Sequence, residues 1–177
     1  MRIWSVGHGA RPVEDLLAVL RDAGVKDLAD IRSVPGSRRH PQFGQASLRA
    51  SLATSGIEYV HLRGLGGRRD TLADSPHTAL RVDAFRGYAD HMASEEFQRD
   101  LAVLEERGRR TTTAFMCAET KWEECHRRML ADVLTIRGWD VVHLGGAGTS
   151  EPHRMSEVAR LVKGALVYDG GATKLLK

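Results

Sequence analysis

The run Thr111-Thr-Thr-Ala-Phe-Met-Cys117 constrains the fold more than any other stretch. It is rich in strand-forming residues and free of charged residues, proline and glycine. A strand of that kind needs cover on both faces, and such strands belong to parallel sheets layered between helices. The rest of the chain has the matching rhythm. Arg2 to Val6, Val25 to Ile31, Glu58 to Leu62 and Asp140 to Leu144 read as further strands. Helical patterns separate them. The first starts near Pro12, carries Val13, Leu16, Leu17 and Leu20 on one face, and stops at Gly24. Others cover Ala46 to Ser55, Ala84 to Ala93, and Glu95 to Arg107, the last with Ser94 as N-cap and Phe97, Leu101 and Leu104 inward.

Thr120 and Glu123 have the spacing of a capping box, which predicts a helix from Lys121 to Arg137. A tail helix is expected over 157–166. This alternation predicts an α/β fold in a single domain, 1–177. It would be an open, mostly parallel, Rossmann-like sheet of about five strands with helices on both faces. Residues 70–83 read as a surface insertion free to move.

Composition excludes some partners. With 42% hydrophobic and 28% charged residues, the chain has an ordinary globular make-up. No apolar run approaches the roughly 18 residues of a membrane span, so no membrane partner is expected. The N-terminus lacks the apolar region of a signal peptide, and two cysteines make no disulfide framework. A cytoplasmic location is therefore expected.

Charge is informative through its distribution. From Ile31 to Arg69 there are seven arginines and one acid, Glu58. Arginine forks match phosphate geometry, and a local basic field favours phosphorylated or nucleic-acid ligands. The competing reading is a solvated surface compensated by acids elsewhere. The loop Ser33–Pro41, with two prolines, a glycine, hydroxyls and cations, suits anion binding. The turn Gly64-Leu-Gly-Gly-Arg-Arg69 lacks the spacing of a dinucleotide fingerprint or a P-loop.

In open parallel sheets, ligands bind beyond the carboxyl ends of the strands. Those ends here are His8, Arg32, the Gly64–Arg69 turn, Cys117 with Glu119, and His143. Both cysteines fall in Cys117-Ala-Glu-Thr-Lys-Trp-Glu-Glu-Cys-His-Arg127. Cys117 sits before the expected helix start, where a thiolate is favoured. Cys125 shares an apolar stripe with Trp122 and Met129 and reads as core. His40, His77, His91 and His153 read as exposed.

Taken in order, several pieces resemble one family. They are Val6-Gly-His8, Asp30-Ile-Arg-Ser-Val-Pro35 with Ser37-Arg38, Tyr59-Val-His61 with Leu65-Gly-Gly67, Met116-Cys-Ala-Glu119 and Cys125-His-Arg127. The chain resembles domain of unknown function 488 over roughly residues 1 to 145. The resemblance implies a compact cytoplasmic α/β protein, with no settled activity and a loose association with DNA repair. Gly9 departs from the serine usual there.

Four chemistries compete at this site. Cys117 can act as a thiolate, with His126 or Arg127 adding to its acidity. The Asp30-Ile-Arg32 layout is similar to that of rhodaneses, though their Cys-x-x-Gly-x-Arg pattern is missing. Glu119 can act as general acid or base while arginines hold phosphate. Cys117, Glu119, Cys125, His126 and His8 are donors for zinc or iron, but the Cys-x7-Cys spacing fits no named finger and no metal is assigned. Each residue can also be purely structural.

The leading expectation is an enzyme acting on a phosphorylated substrate, either nucleic acid or a nucleotide. Glu119, Cys117, His126 and Arg127 form the catalytic set. His8, Arg32, Ser37, Arg38, Gly66, Gly67 and Arg68 form the phosphate-binding set. The alternatives are a non-catalytic nucleic-acid or phospho-ligand binding module, and thiol-based sulfur transfer. No cofactor and no protein partner can be named from these residues.

Overall fold

The computed structural model describes residues 1–36 and 38–171. Its strands are β1 (Arg2–Gly7), β2 (Asp27–Asp30), β3 (Glu58–His61), β4 (Thr113–Cys117), β5 (Asp140–Leu144), β6 (Ser150–Pro152), β7 (Ala159–Val162) and β8 (Ala165–Tyr168). Its α-helices are α1 (Val13–Asp22), α2 (Gln45–Thr54), α3 (Asp83–His91), α4 (Glu95–Arg110) and α5 (Arg127–Ile136). The fold is α/β. Six strands form one sheet in the order β3-β2-β4-β1-β5-β6. All pairs are parallel except β5 with β6.

β4 lies between β2 and β1, as its apolar character demands, and all five of its residues are buried. Alternation along the strand sends its side chains to two layers. Phe115 and Cys117 join a core cluster with residues of α3, α4 and α5, including Tyr88, Phe97, Leu101 and Met129. Ala114 and Met116 join the opposite cluster, with Leu16 and Leu20 of α1 and Leu48 and Leu52 of α2. The side chain of Cys117 therefore points to the layer that contains α5.

Local signals set most boundaries. Gly24, just past α1, has φ +68°, a conformation that suits glycine. Ser94 caps α4 by accepting a bond from the Phe97 amide at 3.2 Å. Among the described residues, no helix is long and apolar enough to cross a membrane.

Two expected helices are corrected. The helix expected from Lys121 begins at Arg127. Local capping signals are overridden by long-range contacts. Trp122 stacks on His143 with ring centroids 4.1 Å apart and donates to Glu151 Oε1 at 2.6 Å. Arg127 holds the carbonyl oxygens of Glu119 and Thr120. The chain from Glu119 to His126 is thereby held as turns.

The expected tail helix is instead the β7–β8 hairpin. Lys163 and Gly164 both have positive φ, 49° and 85°. That is the two-residue turn whose twist matches flanking strands. The sixth strand, β6, was not foreseen either. The residue that follows it, His153, and Tyr168 of the hairpin join a buried network. Asp132 on α5 accepts from Tyr168 Oη at 2.9 Å, and its Oδ1 lies 2.8 Å from His153 Nε2. His153 Nδ1 is 3.0 Å from His143 Nε2. The side chains of His77 and His153 are buried, contrary to the exposure expected for them.

Residues 70–83 return to the body of the protein. Leu80 and His77 are buried, and the Ala79 amide bonds the carbonyl of Tyr168 at 3.0 Å.

Candidate functional site

The strand register brings the expected loops level. Gly7 pairs with Cys117 in β1–β4, and Asp30 pairs with Met116 in β2–β4 and with His61 in β2–β3. Past the strand ends the ladder continues, with the His8 amide on the Cys117 carbonyl (3.1 Å) and the Gly9 amide on the Ala118 carbonyl (2.9 Å). A side chain at Gly7 would collide with the Glu119 carbonyl, so the close approach of these two segments requires glycine there. Gly9 has φ +57°, and a Cβ there would come within 2.5 Å of Thr120 Oγ1, so glycine suits this position in the present chain.

Beyond these ends lies a cavity of about 900 Å³. His8, Arg32, Gly67, Arg68, Cys117, Glu119 and His126 line it, together with Cys125, which belongs to the core, as its apolar stripe predicts, and also reaches the cavity. Arg38, Gly66 and Arg127 do not line it. Ser37 lies outside the described residues.

One wall is a fixed polar corner. Arg32 donates through Nε to Asp30 Oδ1 at 2.8 Å, and its Nη2 meets Oδ2 of the same carboxylate. Tyr59 donates to that carboxylate at 2.8 Å. Arg32 Nη1 is 3.2 Å from His8 Nε2, and His8 Nδ1 is 2.8 Å from the Gly9 carbonyl. These partners assign a neutral imidazole that donates from Nδ1 and accepts at Nε2. Burial, more than anything else, pushes His8 down to about 4. Its ring stacks on Phe43. Neither nitrogen of His8 is free to ligate a metal. Arg32 is largely neutralised by Asp30, so it can offer spare N–H groups but little net charge.

The mouth carries the uncompensated charge. Arg68 is exposed, and its guanidinium makes no ion pair among the described residues. Arg38 is likewise exposed and lies in the loop whose flanking residues Gly36 and His40 line the cavity. Arg69 instead pairs with Glu96 at 3.0 Å, and Arg49 covers the ring of Tyr59. Glycines 66 and 67 serve internal packing. A Cβ on Gly66 would meet Ser33 Oγ, and one on Gly67 would meet the ring of His126. The opposite wall is apolar, from Val82, Ala84 and Phe85. The sequence offered only Phe85 near a helix start as a signal for it.

The floor brings three reactive atoms together. Cys117 Sγ is 2.8 Å from Cys125 Sγ and 2.9 Å from Glu119 Oε2. Cys125 Sγ is 3.3 Å from the same oxygen. Both cysteines are free and buried. Because α5 starts at Arg127, it is Cys125, not Cys117, that sits at a helix N-terminus. The Arg127 amide lies 3.4 Å from Cys125 Sγ, and His126 Nδ1 is 3.5 Å from it.

Burial pushes the Cys125 thiol up, but hydrogen bonds from Cys117 and His126 and the charges of His126 and Arg127 bring it down to about 5. Burial and the bond to Cys125 push Cys117 well up. The pair therefore shares one proton, held on Cys117. Burial also raises Glu119, yet hydrogen bonds, first that from the Cys117 thiol and then that from its own backbone amide, outweigh this and hold the carboxyl below its usual range. A thiolate and a carboxylate 3.3 Å apart repel, and the exposure of Glu119 lets solvent screen part of that repulsion. The ligand atoms of Cys117, Glu119 and Cys125 form a cluster of a kind that can hold a metal ion.

Arg127 lies beneath this floor and is 1% exposed. Its Nη2 donates to the carbonyl oxygens of Glu119 (2.6 Å) and Thr120 (3.2 Å), and Nη1 to Ser5 Oγ (3.3 Å). It shapes the chain that carries the site and is a positioning residue.

No curated protein and no solved structure matches the chain. A family model does, over residues 12–134. That span takes in the Arg32 corner, the Gly66–Gly67 turn, Cys117, Glu119 and Cys125, and leaves His8 just before it. The chain belongs to the family described as domain of unknown function DUF488.

Proposed function

We propose that this chain is an enzyme of hydrolytic type acting on a phosphorylated substrate of nucleotide size. The observation that carries the reading is a single cavity that joins an unpaired basic mouth at Arg68 to the Cys117–Glu119–Cys125 floor. A cavity of about 900 Å³ falls in the range of small-molecule sites. Arg68 and the spare N–H groups of Arg32 hold the anion. The apolar wall at Val82 and Phe85 takes a base or another flat group. Glu119 rests as a carboxylate, so it serves as a base. It takes the proton of a water that attacks the substrate, and that proton leaves with the departing group. A nucleotide or the end of a nucleic-acid strand meets these requirements, and a DNA-repair role would follow from the latter. Paired free thiols fit a reducing compartment such as the cytoplasm.

The test is binding of nucleotides and short single strands across a salt series. Affinity should fall as salt rises, and Arg68→Ala should weaken it about tenfold. Absence of binding, or binding indifferent to salt, removes the phosphate anchor. Glu119→Gln should keep binding and abolish turnover of the bound compound, followed by mass spectrometry. Unchanged turnover would leave a binding module instead.

A second reading is thiol-based sulfur transfer, favoured by the 2.8 Å approach of Cys117 and Cys125 and the helix amide at Cys125. There the Cys125 thiolate attacks the outer sulfur of a persulfide donor and releases the donor thiolate. It then hands that sulfur to a nucleophilic acceptor. Persulfide on Cys125 after incubation with a donor, detected by mass, separates the two readings.

A further inference from the structure

We propose that Cys117, Cys125 and Glu119 bind a divalent cation of the zinc class, with the fourth coordination position facing the cavity. The sequence argued against a metal because the Cys-x7-Cys spacing matches no finger. That argument applies to ligands presented by one loop. Here the fold supplies them from three places: the end of β4, the first residue after Ala118, and the N-terminus of α5.

The three donor atoms already form a triangle with edges of 2.8, 2.9 and 3.3 Å. Tetrahedral zinc with sulfur and carboxylate ligands sets donor–donor edges of roughly 3.5–3.8 Å. Binding therefore spreads the triangle by at most about 1 Å, within reach of side-chain torsions. Two thiolates and one carboxylate suit a borderline-soft ion.

Charge points the same way. Two buried thiols and the exposed carboxylate of Glu119 crowd one spot, and the guanidinium of Arg127 is bonded to carbonyl oxygens and Ser5. A divalent ion offsets the mutual repulsion of three ligand groups whose donor atoms lie within 4.8 Å of one another. The surrounding layer is also present. The Arg127 amide and His126 Nδ1 approach Cys125 Sγ, as outer groups orient metal-bound thiolates elsewhere. Both sulfurs face Glu119 Oε2, which leaves Oε1 for a proton of a water at the fourth position. Only this last role rests on the hydrolytic reading. Metal binding itself stands apart from it.

The experiment uses full-length protein, reduced and stripped with chelator. Titration with cobalt(II) should produce an intense near-ultraviolet thiolate-to-cobalt charge-transfer band that saturates at one ion per chain. Zinc(II) should displace it, and binding should release thiol protons. Cys117→Ser and Cys125→Ser should each weaken the band severely. Glu119→Gln should keep the band but lower affinity at least about tenfold. No band in protein with both thiols reduced overturns the proposal, as does a band that survives in the Cys125→Ser variant. Should a cysteine variant fail to fold, peptide mapping of the unsubstituted protein decides. Zinc must then protect Cys117 and Cys125 together from alkylation, and unprotected thiols overturn the proposal. Cobalt binding without nucleotide binding would retain the metal centre and discard the phosphate reading. The reverse would do the opposite.

Discussion

The guanidinium of Arg127 reaches back to the carbonyl oxygen of Glu119, 2.6 Å away, and so ties the start of α5 to the chain leaving β4. That one contact sets how far the two cysteine-bearing elements stand apart. Loss of the guanidinium would leave the carbonyls of Glu119 and Thr120 without their buried donor and open space under Gly7. Arg127→Met should destabilise the fold by about 3 kcal/mol. Urea unfolding measures this, and a change under about 0.5 kcal/mol would show that the tie is dispensable.

Thiol reactivity should follow the new helix start. In reduced, metal-free protein, iodoacetamide should label Cys125 well before Cys117. The rate should rise with pH through a midpoint far below the ordinary thiol value near 8.5. Peptide mass mapping of partially labelled protein checks the order. Labelling of Cys117 first would reverse the assignment of the thiolate.

Gly67 packs against the ring of His126, and His126 in turn supports the Cys125 thiolate. Gly67→Ala must displace that ring. The midpoint of Cys125 alkylation should rise by about one pH unit, with a modest loss of stability. An unmoved midpoint would mean that His126 does not tune Cys125.

Two buried imidazoles make stability depend on acid. Burial holds His8 at about 4 and His143 at about 3, both below the roughly 6.5 of an unfolded chain. Above pH 6.5 neither state binds the protons, and the full stability is present. As pH falls from about 6.5 toward 4, the unfolded chain takes up protons that the folded chain refuses. Each imidazole should then cost about 1.4 kcal/mol per pH unit. Urea midpoints at pH 7, 6, 5 and 4 should fall accordingly, and less steeply in His143→Gln. A flat midpoint down to pH 5 would refute this.

How much was legible varies by residue. Thr111–Cys117 announced a doubly covered strand, and the structure places it inside the sheet with all of β4 buried. Ser94 and Gly24 marked helix ends where they stand. The rule that ligands lie beyond parallel strand ends picked out His8, Arg32, Arg68, Cys117 and Glu119, and these do line one cavity. Arg68 and Arg69 looked alike in sequence, yet only Arg69 has an acid to pair with, and that acid is 27 positions away. Arg127 looked reactive and proved to lie beneath the floor. The hairpin turn at Lys163-Gly164 carried a local signal, a glycine between two strand-forming runs, that the tail-helix reading overlooked.

The sequence by itself determined the alternation of strands and helices, the parallel sheet and the edge where a site can form. Those follow from side-chain period and turn chemistry, which act over a few residues. Only the tertiary structure decided that α5 starts at Arg127, that Cys125 belongs to the site, and that Cys117, Glu119 and Cys125 meet. The cause is long-range. Trp122 settles on His143 and Glu151, and Arg127 binds the backbone of Glu119. No window of local sequence contains both partners of the Trp122 contacts, so no local pattern could have placed the helix start.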